Sequence, residues 1–463
     1  MPMPDFPTTA ADFYRLRDDR TNRCPDARDY QTVSVAVTAD KDLVATRQGQ
    51  VMLMVACNLL SRWCRRVILD IPNAALHPSL GFGPGYLGDF VLGQMRDADP
   101  FGSFEIYAGR IGASDLVLSV GVGAPPTSQQ RAVYISANDW LAAVGLEPVQ
   151  RLPATSDGNV LGAIAASCLG VGQLFKLATR LPDERLIRDG VFDLFTLDWS
   201  QPHEARHSGD LHAGRILMVG AGSVGSSAAY CMRLAGLGGE ITIVDHDTVK
   251  VENFNRSPIF GRASFGTNKA VAISNFLSGT PLKPDPFPMK WNDFVRERGR
   301  PSMPCDLWLP LANEDGVRSS IQSNVPPLMI HASTGADWAV YHGRHIPGRD
   351  DCLVDRFPVD VHADALACST SPIPTPHGSV DAALPFASLF AGLLVAADIT
   401  RSNMTGYPQV ENYANVDWHG KVVVQKASRL PRPGCACLQP RQSFHDRFNA
   451  DSKHRHLFRY SPP

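Results

Sequence analysis

The chain alternates short apolar runs with longer segments of helical periodicity. The runs Ile216–Val219 and Ile241–Val244 have the length and composition of buried strands. A glycine-containing turn follows the first run and leads into a segment that predicts a helix beginning near Ser226. The order strand, helix, strand is typical of a parallel α/β sheet.

The turn after the first strand has the composition of a phosphate-binding loop. Gly220, Gly222 and Gly225 follow the G-x-G-x-x-G spacing between the strand and the helix. Glycines let the backbone turn tightly and approach a phosphate, and the helix N-terminus presents free N–H groups to the anion. Asp245 ends the next strand, 20 residues after Gly225, where a carboxylate would accept hydrogen bonds from ribose hydroxyls.

The residues after this acid favour ATP over a nicotinamide cofactor. Asn253, Asn255 and Arg256 occupy one turn, and Lys269 follows 13 residues after the arginine. A hydride-transfer enzyme does not need two cations here. Attack on the α-phosphate of ATP does, because the transition state is highly charged.

The combined pattern G-x-G-x-x-G, D-x-D-x-V-x-x-x-N-x-x-R and G-x-N-K-A resembles the adenylating superfamily that includes ThiF, MoeB and the ubiquitin-activating enzymes. The resemblance implies an ATP site in which Asp245 binds the ribose, and Arg256 and Lys269 bind the phosphates. Asp247 and Asn253 would line the same pocket. It also implies Mg²⁺ as the companion of ATP.

The magnesium position departs from the family pattern. The segment Asp306–Ala312 looks like the strand that in the family ends in an Asp-Asn pair. The matching residues here are Asn313 and Glu314, so the usual aspartate is absent. Mg²⁺ needs only one or two carboxylates, and Glu314 or Asp315 could supply one. This departure leaves open an altered metal geometry or a weakened adenylation.

The same order of elements occurs earlier in the chain without the glycines. The segments are strand Val33–Val37, helix Gln50–Cys64 and strand Val67–Leu69, which Asp70 ends. Two small-residue helices also occupy corresponding places, Leu161–Lys176 and Pro385–Ile399. We therefore predict an α/β fold of two Rossmann-like, doubly wound halves that form a pseudo-dimer, with the ATP site in the second half. The alternative is two unrelated α/β domains.

The predicted boundaries follow from this duplication. Residues 1–200 form a degenerate, inactive adenylation-like domain, residues 201–214 a polar linker, and residues 215–463 the active domain. The active domain includes a crossover loop at 360–384. In this superfamily the intact site often takes an arginine from the neighbouring half, and the candidates are Arg15, Arg17 and Arg20.

Cysteines suggest two further sites. Cys368 lies in the crossover loop, at the position where the resemblance places the reactive cysteine that accepts the activated carboxylate as a thioester. The alternative is an ordinary loop residue. The resemblance also implies structural zinc on two Cys pairs. The corresponding set is Cys352, Asp355, Cys435 and Cys437, which could bind Zn²⁺ through three sulfurs and one oxygen or could be an eroded site.

Global composition fits an enzyme without a membrane or nucleic-acid role. The 463 residues are 44% hydrophobic and 19% charged, with a net charge of −2, so non-specific binding to nucleic acid is not expected. The sequence predicts no membrane span and no signal peptide. Its ten scattered cysteines favour free thiols in the cytoplasm.

The predicted function is activation of a ubiquitin-like protein. ATP would adenylate the partner's C-terminal carboxylate, on a tail ending in glycine, and Cys368 would pass the thioester to a ubiquitin-conjugating-enzyme-like protein. Self-association beyond the internal pair is left open. The alternatives are sulfur-carrier activation, an NAD(P)-dependent oxidoreductase, which Arg256 and Lys269 oppose, and a non-catalytic scaffold.

Overall fold

Each half of the chain folds around an eight-stranded sheet in the computed structural model of the protein. The structure describes residues 5–24, 26–107, 114–121, 130–149, 152, 158–199, 211–298, 305–313, 316–324, 326–335, 338–346, 349–356, 373–375, 378–380, 383–404, 411–435 and 453–458.

The sheet of the first half has eight strands within residues 34–199. They are β1 (Ser34–Ala39), β2 (Arg66–Asp70), β3 (Ser103–Ile106), β4 (Leu116–Val120), β5 (Arg131–Asn138), β6 (Leu141–Gly145), β7 (Asp189–Asp193) and β8 (Asp198–Trp199). The described residues of the second half form ten strands, of which eight make up its sheet and two form a separate hairpin. They are β9 (His212–Val219), β10 (Gly238–Val244), β11 (Leu282–Phe287), β12 (Leu307–Pro310), β13 (Met329–Thr334), β14 (Ala339–His345), the hairpin β15 (Ile373–Thr375) and β16 (Gly378–Val380), β17 (Tyr413–Asp417) and β18 (Val423–Ala427).

Helices connect and cover the strands. Those of the first half are α1 (Ala10–Arg17), α2 (Asp19–Asn22), α3 (Lys41–Val44), α4 (Arg47–Ser61), α5 (Leu87–Ala98) and α6 (Leu161–Ala178). Those of the second half are α7 (Ser223–Ala235), α8 (Lys269–Leu277), α9 (Trp291–Arg298), α10 (Val317–Ser323), α11 (Leu353–Arg356) and α12 (Pro385–Ser402).

The two sheets have the same topology. Their strand orders are β3-β2-β1-β4-β5-β6-β7-β8 and β11-β10-β9-β12-β13-β14-β17-β18. In each sheet the first five strands are mutually parallel and the last three are antiparallel. The predicted two-half α/β fold is confirmed. The glycine-loop strand β9 begins at His212, so the last three residues of the predicted linker lie in a strand.

The first half has the same close helix–loop packing as the second, but it has a helical turn in place of the glycine loop. A Cβ on Gly49, in the first turn of α4, would lie 2.0 Å from the Leu43 carbonyl oxygen. A Cβ on Gly225, in the first turn of α7, would similarly lie 2.1 Å from the Gly220 oxygen. Between β1 and α4, however, the short helix α3 places the buried side chains of Leu43 and Val44. A hydrophobic helical turn therefore occupies the place in the first half that the glycine loop has in the second.

The two halves share one core. Helices α6 and α12 pack against each other, and the rings of Phe175 and Phe386 are 5.6 Å apart between centroids. A Cβ on Gly172 of α6 would lie 2.9 Å from the Trp418 ring, so a larger residue would separate the helices. Helix α6 is long and apolar enough to cross a membrane, but all of it is buried within the protein, which is typical of a core helix.

Candidate functional site

The three glycines of the loop differ in the space around them. Gly220 has φ of +102°, and a Cβ there would lie 2.4 Å from the Ala312 nitrogen at the end of β12. Gly225 packs against the Gly220 carbonyl, as described above. A Cβ on Gly222, by contrast, would meet no atom within 4 Å in the described part of the chain. The outer two glycines therefore serve packing, and Gly222 faces free space at the N-terminus of the 13-residue helix α7.

Asp245 fastens this loop to the next strand. One carboxylate oxygen accepts a hydrogen bond from the Ala221 N–H at 2.6 Å, and the other accepts one from the Asp247 N–H at 2.8 Å. Desolvation by burial raises the pKa of Asp245, although the Lys269 charge and these N–H groups oppose the rise. A carboxylate has about four acceptor positions, so two remain for ligand hydroxyls.

Lys269 and Asp247 are brought together as an ion pair beside the loop. The Lys269 Nζ lies 2.7 Å from the Asp247 carboxylate, and Lys269 is 9% exposed. Burial raises the pKa of Asp247, but the hydrogen bond and charge of Lys269 outweigh it and the net shift is downward. Asn268 caps α8 and donates to the Asp245 and Asp247 carbonyls at 3.0 Å each, which fixes the position of Lys269. The ion pair therefore keeps the Lys269 ammonium group next to Asp247, near the glycine loop.

Arg256 lies in a tightly bonded turn that follows β10. Its Nη1 donates to the Glu252 carbonyl and, at 2.9 Å, to the Asn255 side chain, and Arg256 is 8% exposed. Asn253, predicted to line the pocket, accepts the Lys250 N–H at 2.9 Å and so caps the short 3₁₀ helix Val251–Asn253. Its side chain thus has a structural partner within its own turn.

The N-terminal helices of the first half reach this turn. The side chain of Asn255, fully buried, donates to the Thr21 hydroxyl at 3.2 Å. Arg20 precedes Thr21, and its carbonyl accepts the Ala383 N–H at the end of the crossover loop. Of the other two candidate arginines, Arg17 is wholly buried in ion pairs with Asp18 and Asp99, and Arg15 is an exposed partner of Asp12. Arg20 directly precedes Thr21, which contacts Asn255, whereas the sequence offered no reason to single out Thr21.

The predicted magnesium residues follow β12 at the same edge of the sheet. Asn313 is exposed and comes directly after Ala312, which contacts Gly220. Glu314 and Asp315 lie outside the described residues. Asn313 is therefore beside the glycine loop, and an amide oxygen at this place suits a hard cation.

Most described cysteines are unsuited to nucleophilic catalysis. Burial raises the pKa values of Cys57, Cys64 and Cys24 to about 12 and that of Cys305 to about 11, and the pKa values of Cys168 and Cys231 rise further for the same reason. The thiolate, which is the reactive form, is thus disfavoured at these positions. Cys368 lies outside the described residues.

Two of the predicted zinc ligands meet in the fold. Cys352 and Cys435, 83 residues apart, are both buried, and their sulfurs are 3.6 Å apart. Two sulfurs on a tetrahedral zinc at about 2.3 Å would be separated by roughly 3.8 Å, so the spacing fits. Cys437 and the Asp355 side chain lie outside the described residues. Within the described part of the chain no group of three or more His, Cys, Asp or Glu residues could hold a metal.

Comparison with known proteins agrees with this geometry. Residues 201–283 match the ThiF family, and residues 34–184 match the family described as the BilD N-terminal domain. The resemblance to the ThiF, MoeB and ubiquitin-activating superfamily is thereby confirmed, over the segment that contains the glycine loop, Asp245, Arg256 and Lys269.

Similar proteins share only part of their length with this chain. An uncharacterized protein y4jF of Sinorhizobium fredii is 28% identical over 57% of this chain and 49% of its own. The adenylyltransferase and sulfurtransferase UBA4 of Yarrowia lipolytica is 30% identical over 34% of this chain and 40% of its own. The chain thus spans about half or less of these relatives. The crystal structure of E. coli MccB with MccA superposes with a TM-score of 0.37 at 17% identity, over 48% of this chain and 66% of that one.

Proposed function

We propose that the chain, which carries a ThiF-family domain, is an ATP-dependent adenylating enzyme. The observation that carries the proposal is the contact series from the open Gly222 through Ala221, Asp245 and Asp247 to Lys269. It joins the open space at Gly222, a carboxylate with unused acceptor positions and a buried cation at one edge of the sheet. UBA4, which matches part of the chain, is described as an adenylyltransferase.

The residues suggest how the reaction would proceed. The α7 N-terminus and Gly222 would bind the phosphates, Asp245 the ribose hydroxyls, and Lys269 would turn from Asp247 to the phosphate oxygens. Arg256 would neutralise charge on the same group. The partner's carboxylate would attack the α-phosphorus of ATP, and the bond to pyrophosphate would break with its electron pair.

Mg²⁺ would be held by Asn313 and Glu314. When bound, the ion neutralises phosphate charge during the displacement. The exposed position of Asn313 beside the glycine loop supports this assignment. Asn313 stands where the family has an aspartate and Glu314 where it has an asparagine, so the carboxylate moves by one residue, which predicts an altered geometry of Mg²⁺ binding.

ATP–pyrophosphate exchange tests the adenylation step. Wild-type protein is incubated with MgATP, labelled pyrophosphate and candidate ubiquitin-like proteins that end in glycine. We expect exchange that depends on a partner and that Lys269→Ala lowers by about a hundredfold, because a buried charged contact is lost. Lys283→Ala, an exposed lysine on β11, is the control. Wild-type exchange activity in Lys269→Ala would show that Lys269 does not bind the phosphates of ATP.

Cys368 is the proposed acceptor of the activated carboxylate. Its thiolate would attack the acyl carbon of the adenylate, the bond to the phosphate oxygen would break, and AMP would leave with the electron pair. The thiol proton would pass to solvent. The raised pKa values of the buried cysteines support this choice, because they leave few alternatives among the described thiols.

Non-reducing gels test this assignment. In the presence of ATP, the protein should form a covalent adduct with its partner that a thiol reductant cleaves and that is absent in Cys368→Ala. Cys368→Ser should form an adduct that the reductant does not cleave. Cys305→Ala, a half-buried cysteine, serves as the control. An adduct that persists in Cys368→Ala would place the thioester on another residue. The next acceptor would be a ubiquitin-conjugating-enzyme-like protein.

Sulfur-carrier activation is the second candidate. The similarity to UBA4, described also as a sulfurtransferase, favours it. Conjugation remains our preferred function because one chain here contains both an intact and a closed half. Mass spectrometry of the partner distinguishes the two: a thiocarboxylate at its terminus indicates sulfur transfer, and an amide linkage to another protein indicates conjugation.

Two other features belong to the same proposal. Zinc bound by Cys352, Asp355, Cys435 and Cys437 would join the region of α11 to the C-terminal segment, and the spacing between the Cys352 and Cys435 sulfurs supports it. The eight described cysteines are all free thiols, which suits a reducing cytoplasm.

Nicotinamide-dependent turnover would instead support the oxidoreductase, and activity in cells that is unchanged in Lys269→Ala would support the scaffold. Light scattering would establish whether the chain also self-associates.

A further inference from the structure

We infer that the degenerate half supplies positioning residues for the ATP site. Asn58, Arg62 and Asp97 of the first half clamp residues 254–263 of the second half, here called the Arg256 turn. The inference rests on the proposed adenylation and adds a role for the half that has no phosphate loop of its own.

Arg62 is the centre of the clamp. It caps the C-terminus of α4 and is 3% exposed. Its Nη1 donates to the carbonyls of Phe254 at 2.7 Å and Phe260 at 2.6 Å, and its Nη2 donates to the Pro258 carbonyl at 2.9 Å. These carbonyls lie on both sides of Arg256 in the sequence, so one guanidinium fixes the path of the whole turn.

The charge of Arg62 is not committed to a carboxylate. Among the described residues it forms no ion pair, and its partners are backbone carbonyls and Asn58. Desolvation by burial lowers the pKa of Arg62 to about 10, so it remains charged at neutral pH. Hydrogen bonds from a charged donor are roughly twice as strong as those between neutral groups, and three of them converge on one short turn.

Asn58 orients Arg62 and joins the same turn. It is 3% exposed on α4. Its side-chain oxygen accepts from the Arg62 Nε at 3.2 Å, and its amide nitrogen donates to the Pro258 carbonyl at 3.0 Å. Pro258 therefore receives two donors from the first half. The pair acts as one rigid support, because each member also holds the other.

Asp97 supports the far end of the turn. From α5, its carboxylate accepts the Ala263 N–H at 2.7 Å. A Cβ on Gly261 would lie 2.0 Å from the other Asp97 oxygen and 2.7 Å from its backbone oxygen. Only a glycine lets the turn approach this closely. The first half thus contacts the turn through donors at one end and an acceptor at the other.

The consequence is a preorganised arginine. The hydrogen bonds of Arg256 run to Glu252 and Asn255, which belong to the same local structure that Arg62 and Thr21 hold from outside. A cation already fixed where charge develops stabilises that charge without paying for its own ordering. Arg62 touches no reacting atom, so it is a positioning residue, and its loss should loosen the turn and weaken ATP binding.

Calorimetry with the magnesium complex of α,β-methylene-ATP tests this on the full chain. We expect Arg62→Gln to weaken binding by about tenfold or more, since charged hydrogen bonds to the turn are lost. Arg62→Lys should restore part of the affinity, because it keeps the charge but not the fork. Gly261→Ala and Asp97→Ala should each weaken binding by severalfold from the other end of the turn.

A matched control separates positioning from general loosening of the halves. Arg401→Gln removes another buried arginine that donates across the halves, to the Leu194 and Phe195 carbonyls, at the C-terminal end of α12. It should lower the unfolding temperature but leave the analogue affinity within about twofold, because it does not touch the turn.

The outcomes divide cleanly. Unchanged affinity in Arg62→Gln, or an equal loss in Arg401→Gln, overturns the inference while the proposed function stands. Folded wild-type protein that binds no MgATP analogue overturns the proposed function itself and the inference with it. If Arg62→Gln does not fold, Gly261→Ala and Asp97→Ala decide: loss of affinity in both supports the clamp, and wild-type affinity in both rejects it.

Discussion

Substitution of the middle glycine should separate ATP binding from folding. In Gly222→Ala the new methyl group enters space where no atom of the described residues lies within 4 Å, so it clashes with none of them. The residue has φ of −70° and ψ of −152°, which do not require glycine. If this space holds the phosphates of ATP, the methyl group blocks them.

The expected change in stability is small because two effects oppose each other. Gly222 is the N-cap of α7, and alanine at an N-cap costs roughly 0.5–1 kcal/mol relative to glycine. Alanine also restricts the unfolded chain, which stabilises the fold by roughly 0.4–1 kcal/mol. The two nearly cancel, to within about 0.5 kcal/mol. ATP, however, loses at least one charge-assisted contact, worth about 1.5–3 kcal/mol, or roughly ten- to a hundredfold in affinity.

Urea unfolding and calorimetry with the MgATP analogue measure the two quantities on the same sample. Gly225→Ala is the contrasting variant, because its Cβ would lie 2.1 Å from the Gly220 oxygen and should destabilise the fold by about 1–3 kcal/mol. Gly222→Ala with wild-type affinity would refute the assignment of this opening to phosphates. A large loss of stability in Gly222→Ala would show that the loop is packed differently from the structure described here.

Three further predictions concern other parts of the fold. Gly49→Ala should lower the free energy of unfolding in urea by about 1–3 kcal/mol, because its Cβ would lie 2.0 Å from the Leu43 oxygen. It should leave the affinity for the MgATP analogue unchanged, and a loss of affinity would contradict the interpretation that the first half binds no nucleotide. Burial lowers the pKa of Lys176 to about 7, so the unfolded state binds more protons from there up to the ordinary value of about 10.4. The stability that comes from deprotonating Lys176 is therefore complete above about pH 10.4 and is lost as the pH falls to 7. The free energy of unfolding of the wild type should rise by up to about 3 kcal/mol more than that of Lys176→Met between pH 7 and 9. Equal pH dependence in the two proteins would show that the pKa of Lys176 is unperturbed. Metal analysis should find about one zinc per chain, lost in Cys435→Ser and kept in Cys64→Ser, whereas metal-free wild-type protein with the fold intact would indicate an eroded site.

The local parts of the site could be predicted from sequence because each is short in the chain. The G-x-G-x-x-G spacing specifies a strand, a turn and a helix, and Asp245 ends the adjacent parallel strand, so topology alone brings them together. Different roles for the three glycines could not be predicted, because they depend on Ala312 and on which glycine faces open space. Asn253 illustrates the same limit. Its position in the motif suggested the pocket, but the Lys250 N–H, three residues earlier in the same turn, donates a hydrogen bond to its side chain.

The contribution of the first half was beyond sequence reasoning for a different reason. Arg62 lies 192 residues from Phe254 in the chain, and it sits in an apolar helix with no motif around it. A lone arginine at a helix end predicts only a solvated cap. Its role depends on how two sheets pack, which no periodicity specifies. The duplication itself could be predicted, because the matching order of strands, helices and small-residue segments can be read along the chain without knowing any contact between the halves.

The duplication also explains why such a clamp exists. Arg233, near the end of α7, is placed as Arg62 is near the end of α4: it donates to the Gly81 carbonyl at 3.3 Å and stacks on Phe82 at 4.2 Å. Each arginine thus contacts the segment after the second strand of the opposite half, as two-fold related surfaces require. The contacts differ in strength: Arg62 is buried and fixes three carbonyls, whereas Arg233 is half-buried and reaches one across the boundary. The stronger contact lies under the turn that carries Arg256, and the weaker one under the half whose loop is closed by Leu43. An asymmetry in this direction is expected if ATP binding, rather than the joining of the halves, requires the buried arginine.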